Sequence, residues 1–403
     1  MKKGILFKIP LWFTFLAVIS ACKAPAHFPP SAAEQPAPIP VKEGQTISTP
    51  NMRLPKMVLV DEGSQNTLIF YDLAGQAQST IDTPGLTFSG ASHVHVAGSV
   101  PASEITAPVV YLTYEQQEAL LLNINNEISR LALTPQFFQM SGAAAEPVFA
   151  YSLVQVEELG LRSTLHIGNL TATPYTRPLY SWMDDEGFFT LLPLRVLAQN
   201  GNALGVWYTH SAWGIGGDII YPINRGLFYY DLTTDGNWQF LDDSRNPQGI
   251  SPDTGWVASV QFNTEDSSLR VENLRDGYTV QFPLHVNSER GAGYAFFSAD
   301  NQYVAWVESS GWTMAAESTY HSRIRVGQTN GDIIQDLSDA QIAQAIGYSL
   351  VSFMKPVGWL DNQTLLIEAR QMDWQQATLL KIDVLSGAVS EFCIGTFAAL
   401  VYE

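Results

Sequence analysis

Cysteine is almost missing from this chain: Cys22 and Cys393 are the only two among 403 residues. That excludes a disulfide framework, so stability has to come from core burial, for which the chain is long enough. Charge is thin as well, at 15% of residues against 46% hydrophobic, the balance of a folded body. Basic residues are the scarcer sign, 21 against 39 acidic, for a net charge of −18. Such a surface repels phosphate backbones and offers no broad basic patch to anionic lipid heads, so nucleic acid is not an expected partner. Solubility is its plainer consequence, and a monomer is expected. No apolar run reaches spanning length either: residues 9–19 fall short of the about 20 that a membrane helix needs. Pro10 at the start of that run also argues against a long unbroken helix. Helical patterning is scarce, with only Asp339 to Ile346 reading as a turn or two of helix.

What the chain does have begins with an address. Lys2, Lys3 and Lys8 precede the apolar run, which contains Leu11, Trp12, Phe13, Phe15, Leu16, Ala17 and Val18 and stops at Ile19-Ser20-Ala21-Cys22. A positive start, a short apolar core and small residues before a cut site make a secretory signal over residues 1–21. Ile19-Ser20-Ala21-Cys22 resembles the lipobox of bacterial lipoproteins. The resemblance implies that the Cys22 sulfur receives a diacylglyceryl group and that cleavage makes Cys22 the new N-terminus. An ordinary secretory signal with an incidental Cys is the competing reading. Two or more acyl chains, at about 0.8 kcal/mol per buried methylene, give stable anchoring. The expected location is therefore the cell envelope, with the chain lipid-anchored to a membrane and facing the periplasm or the cell exterior. In the enterobacterial lipoproteins Asp after the Cys resembles an inner-membrane retention signal. Residue 23 is Lys, which favours an outer membrane. Losing Lys2, Lys3 and Lys8 with the signal takes the net charge from −18 to about −21.

Residues 22–55 then read as a tether. Pro25, Pro29, Pro30, Pro36, Pro38, Pro40, Pro50 and Pro55 are spaced by Ala, Ser and Gln, a composition that cannot bury a core and favours an extended, semi-rigid spacer. From residue 56 to 403 the texture is that of strands: short runs rich in Val, Ile, Leu, Tyr, Phe and Trp between Gly, Asp, Asn, Ser and Pro. One pattern is a strand ending near Asp, a Gly-bearing turn and another strand. It occurs at Leu68 to Gln76, Leu227 to Gly236 and Leu379 to Gly387, and more loosely at Leu121 to Glu127 and Ile324 to Gly331. Gly or Asn supplies the positive φ of a tight hairpin. A second pattern is Ser251-Pro252-Asp253-Thr254-Gly255 before a strand, repeated as Ser298-Ala299-Asp300-Asn301-Gln302 and Gly358-Trp359-Leu360-Asp361-Asn362.

This second pattern looks like the repeat of TolB-type and WD-like β-propellers, clearly over residues 245–395 and faintly over 56–240. The resemblance implies that it is the turn between the first and second strands of a blade, and that the Asp–Gly hairpins join the third and outer strands. A period of about 40–50 residues per blade over about 350 residues predicts an all-β chain folded as a single β-propeller of seven blades, within a range of six to eight. Phe397 to Tyr402 is expected to pair with the first blade and close the ring. Two smaller β domains with a break near 134–147 are the alternative.

Candidate chemistry is sparse. His93 and His95 alternate onto one strand face and suit zinc if a third ligand converges. Polar strand residues near a propeller opening are the plainer reading. The segment from Trp207 to Asp218 is the richest: Trp207, Tyr208, His210, Trp213 and Asp218 with three glycines, the composition of a small-molecule or sugar site. A loop plugging the channel is its competitor. His210, Ser211 and Asp218 do not make a hydrolase, because no nucleophile elbow surrounds Ser211. Asp184-Asp185-Glu186 and Asp242-Asp243 suit calcium or, more simply, solvated turns. Trp306, Trp312, Trp359 and Trp374 read as blade core, and Cys393, within an apolar strand, as a buried structural thiol. Residues 309–314 interrupt a hairpin, where exposed aromatics would mark a partner surface. The function expected is a binding or scaffold module for an envelope protein, peptide or glycan, with no resident cofactor, Ca or Zn being the ions considered. A propeller enzyme of lyase or lactonase type, with a metal-assisted site in its channel, is the alternative.

Overall fold

Alternating apolar and polar side chains, broken every few residues by Asp, Asn or Gly, leave the chain only hairpins to build. In a computed structural model these hairpins form seven four-stranded antiparallel sheets. The structure describes residues 54–62, 67–82, 93–96, 109–113, 118–122, 128–131, 137–142, 146, 148–158, 160–169, 175–212, 222–261, 268–285, 291–311, 320–349, 351, 353–370 and 377–402. All of them belong to the compact unit 40–403. The expected signal, Cys22 and all but the end of the expected tether lie outside the described residues.

Blade 1 holds β1 (Pro55–Asp61), β2 (Thr67–Asp72) and β3 (Ala77–Asp82). Blade 2 holds β4 (His93–Val96), β5 (Val109–Thr113), β6 (Glu118–Leu122) and β7 (Ile128–Leu131). Blade 3 holds β8 (Phe137–Gly142), β9 (Val148–Glu157), β10 (Gly160–Asn169) and β11 (Tyr175–Asp184). Blade 4 holds β12 (Phe189–Gln199), β13 (Asn202–Ala212), β14 (Asn224–Asp231) and β15 (Gly236–Leu241). Blade 5 holds β16 (Arg245–Ile250), β17 (Trp256–Gln261), β18 (Leu269–Asn273) and β19 (Thr279–Phe282). Blade 6 holds β20 (Gly291–Phe297), β21 (Tyr303–Ser310), β22 (His321–Gln328) and β23 (Ile333–Ser338). After α1 (Asp339–Ile346), blade 7 holds β24 (Phe353–Trp359), β25 (Thr364–Arg370), β26 (Ala377–Asp383) and β27 (Val389–Ile394). The last strand, β28 (Thr396–Tyr402), returns to pair with β1 as the first strand of blade 1.

This is a β-propeller. The first strands form an inner ring: β4 adjoins β28 and β8, β8 adjoins β12, and β16, β20 and β24 follow in turn. Apolar layers fill the spaces between blades. One packs Leu165 and Ile167 of blade 3 on Val206 and Tyr208 of blade 4. Another packs Val58 and Val60 of blade 1 on Val357 and Leu366 of blade 7, which closes the circle. The stretch 134–147, the alternative domain break, contains β8 of the inner ring. The helix falls at Asp339–Ile346, as its sequence predicts, fixed by a Ser338–Gln341 capping box and by Gly347 at φ 73°.

Antiparallel order gives the ring two different ends. Turns between first and second strands, and between third and fourth, lie at one end, here the lower. Those in blades 4 to 7 are short, and several are closed by their own side chains. Ser251 Oγ accepts from Trp256 N at 2.9 Å and donates to Asp253, which accepts from Gly255 N at 2.9 Å. Ser298 and Asp300 repeat the arrangement with Tyr303 N and Gln302 N. These are the Ser–Asp turns of the sequence pattern, and they stand where the resemblance places them. The upper end carries most of the long connections, 83–92, 213–223, 283–290, 311–320 and 339–352, while the lower end has one of comparable length, 97–108 in blade 2. Long connections on a rigid scaffold are where propellers of any kind can carry function. Leu54 and Pro55 bring the chain into β1 at the lower end.

Candidate functional site

The richest segment of the sequence straddles β13, the connection 213–223 and the start of β14. Strand alternation sends Trp207 and Tyr208 to opposite faces of blade 4. Trp207 packs toward blade 5 on Leu227, Leu241, Ile250 and Val257, with Phe240 at 4.6 Å between ring centres. Tyr208 is fully buried toward blade 3, its hydroxyl donating to Asn237 Oδ1 at 2.9 Å. Both are walls of the core. His210, two residues on, shares Tyr208's face but sits at the upper end. Its ring lies between Trp182 of β11 at 4.0 Å and Phe228 of β14 at 4.5 Å, close to parallel with both. Trp213 and Asp218 lie outside the described residues.

Burial pushes His210 down to about 4; nearby Asp184 opposes the shift and Arg225 adds to it. The imidazole is thus neutral near pH 7. Asp184 is held by the amides of Phe188 and Phe189 at 2.6 and 2.7 Å, and Arg225 stacks over the Phe189 ring at 4.1 Å. The far root of the connection is fixed just as firmly. Asn224 N donates to Asn246 Oδ1 at 2.9 Å and Asn224 Nδ2 to the Pro247 carbonyl at 2.6 Å. Gln248 Nε2 donates to the Pro222 carbonyl at 3.0 Å, and Gln248 Oε1 accepts from Tyr294 N at 3.0 Å. Residues 222–224 are thereby tied to the inner strand of blade 5 and, through Gln248, to that of blade 6. Tyr294 holds φ at 50° to turn its amide toward Gln248, a conformation that costs a non-glycine residue about 1 kcal/mol or more.

The described residues on either side of 213–221 are thus firmly held, by an aromatic stack at 208–212 and by a polar clamp at 222–224. Trp182, Asn224, Asn246 and Gln248 did not stand out in the sequence. The only signal was local, Tyr180 and Trp182 alternating onto one face of β11. The stack also sets a pH dependence. The unfolded chain protonates His210 near 6.5 and the folded chain only near 4, so the unfolded state binds the extra proton between them. Stability is complete above about pH 6.5 and falls toward pH 4 by at most about 3 kcal/mol, at 1.36 kcal/mol per unit. Urea titrations at pH 7.5 and 4.5 are expected to show this fall, and to show it reduced in H210F. An unchanged fall in H210F would mean another group carries it.

His93 and His95 lie in β4, the inner strand of blade 2, paired with Leu112 and Val110; their side chains are outside what is described. Among the described residues no three His, Cys, Asp or Glu side chains converge as a metal site would need. Asp184 and Asp242 cap turns, Asp242 accepting from Ser244 N at 2.8 Å. Trp306 and Trp359 are core, while Trp312 and Trp374 fall outside the described residues. Cys393 is buried, which pushes its thiol up to about 12.

No protein-family model matches the chain, and no curated protein matches it. Solved structures do. A prolyl endopeptidase is similar over 86% of this chain and 51% of its own, at 9% identity and a TM-score of 0.53. The chain thus spans about half the length of that enzyme, and at this identity the likeness speaks for the propeller fold alone. TolB from Acinetobacter baumannii is similar over 86% of this chain and 82% of its own, at 12% identity and a TM-score of 0.38. A streptogramin B lyase covers 76% of this chain and 88% of its own, at 11% identity and a TM-score of 0.38.

Proposed function

We propose that this chain is a lipid-anchored envelope protein whose propeller acts as a binding module for a protein, peptide or glycan at its upper end. The observation that carries the reading is the firm hold on the residues either side of 213–221. The described chain stops at Ala212, beside the Trp182–His210–Phe228 stack, and resumes at Pro222, next to Asn224, which is bonded to the inner ring; Trp213, Asp218 and three glycines lie in the sequence between. Rigid roots reduce the entropy that a binding loop loses on engagement. His210, held neutral by burial, suits a platform better than a proton carrier at pH 7. The described chain begins at Leu54 and enters β1 at the end opposite the 213–223 connection.

The test uses the full chain. Labelled palmitate is expected on the wild type and not on C22S, which should leave the membrane fraction. The detergent-solubilised chain is then applied to peptide and glycan arrays beside W213A/D218A. Selective binding by the wild type, weakened at least ten-fold in the variant, is the expected result. Binding that is equal in both proteins, or palmitate on C22S, would falsify the corresponding half of the reading.

A further inference from the structure

The seven inner strands are sorted by charge. Acidic residues outnumber basic ones 39 to 21 in the chain, yet β4, β8, β12, β16, β20, β24 and β28 contain Arg195, Arg245 and Lys355 and no Asp or Glu. Two of the three cations are spent. Arg245 pairs with Glu272 at 3.3 Å, and Lys355 lies 3.7 Å from Glu368. Arg195 is different: its Nε is buried without a hydrogen-bond partner, and no described residue forms an ion pair with it.

Its surroundings place it on the channel wall. Arg195 lies on β12, an inner strand, and keeps part of its surface accessible. The groups whose charge reaches it are Tyr402 and Asp253. Asp253 is already engaged by Arg275 at 3.1 Å. Tyr402 belongs to the inner strand of blade 1 and Arg195 to that of blade 4, as far apart as two blades in a ring of seven can stand. Inner-strand side chains of such blades can sense each other only across the channel. Phe296, on the inner strand of blade 6, is exposed although both faces of its blade are covered by neighbours, so it offers apolar surface to the same space or its lower mouth.

An enclosed cation without a partner costs several kcal/mol, and a bound anion removes that cost. One unspent positive charge matches one negative charge, and a planar guanidinium fork matches the two oxygens of a carboxylate. We propose that the central channel binds an organic carboxylate, held by Arg195, with the Tyr402 hydroxyl as a second donor across the channel and Phe296 against the apolar body. This site is separate from the 213–221 surface and stands or falls without it.

The experiment is calorimetric titration of the full chain in detergent with benzoate, its uncharged isostere benzamide, and inorganic phosphate. Saturable one-to-one binding of benzoate is expected, with benzamide and phosphate at least ten-fold weaker. R195M should weaken benzoate at least ten-fold and Y402F several-fold. Without ligand, R195M should unfold at a higher temperature than the wild type, because it removes a stranded charge; an arginine serving only the fold would give the reverse. Should R195M not fold, phenylglyoxal modification of Arg195 in the wild type decides instead, since benzoate should slow it. Absent or unsaturable benzoate binding, equal binding to R195M, benzamide or phosphate as tight as benzoate, or modification unaffected by benzoate would each overturn it.

Discussion

A chain cut after Gly395 is expected to lose its cooperative unfolding transition altogether. The cut removes β28, the inner strand of blade 1, and strips β1 of its ladder from Pro55–Tyr402 to Asp61–Thr396. Val401 is fully buried, and Phe397 and Leu400 pack on the layer that joins blades 1 and 7. Each buried apolar side chain of this size contributes about 1.5–3 kcal/mol and each ladder bond about 1 kcal/mol, against a total domain stability of about 5–15 kcal/mol. The loss therefore consumes most of what holds the ring shut. It also bares the edge of β1, whose Val58, Leu59 and Val60 are otherwise fully buried, and such an edge pairs with other chains. Calorimetry should show no sharp transition and light scattering should show association. A synthetic peptide of residues 396–402, added in excess, should restore part of the transition. A truncated chain melting within a few degrees of the full one would refute the closure.

Replacing Glu368 by alanine is expected to cost about 3–5 kcal/mol, the size typical of breaking a buried ion cluster. The Glu368 side chain is 1% exposed and faces Lys355 at 3.7 Å and Arg370 at 3.0 Å. It also accepts from Phe397 N at 3.0 Å, so it pins β28 to blade 7. Alanine strands Lys355 beside the channel and leaves the Phe397 amide without this acceptor. Adding K355M to E368A should recover part of the loss, because an apolar replacement of a whole ion pair is often neutral or better. Urea unfolding of wild type, E368A and E368A/K355M measures both effects. A cost under 1 kcal/mol for E368A would show that the cluster is solvated after all.

The second half of the fold was legible because its turns need particular chemistry. Ser251–Asp253 and Ser298–Asp300 close the first turns of blades 5 and 6 by side-chain hydrogen bonds, and only such residues can do this. Blade 4 makes the same connection with Asn200–Gly201 alone, at φ 51° and 74°, so the motif is absent where the strands are not. That is why residues 56–240 read faintly. The site was less legible still. Trp207 and Tyr208 advertise themselves in the sequence but are core, since alternation within a blade covered on both faces buries both parities. The His210 stack and the Asn224–Asn246–Gln248 clamp join residues from different blades, and nothing in local spacing encodes which blades will touch. Arg195 was invisible for the same reason: only the assembled ring shows which cation lacks a partner.

The lower turns are closed largely by aspartates. Asp72 accepts from Ala74 and Gln76, Asp231 from Thr233, Asp253 from Gly255, Asp300 from Gln302, Asp361 from Gln363 and Thr364, and Asp383 from Leu385 and Ser386. Each carboxylate closes its own hairpin, and all but Asp253, which Arg275 pairs, add to a negative collar around the face where the polypeptide arrives. Like collars repel within a Debye length of about 8 Å at physiological salt. Copies of the ring therefore resist stacking collar to collar, and a crowded layer of them stays a field of separate discs unless the salt is raised.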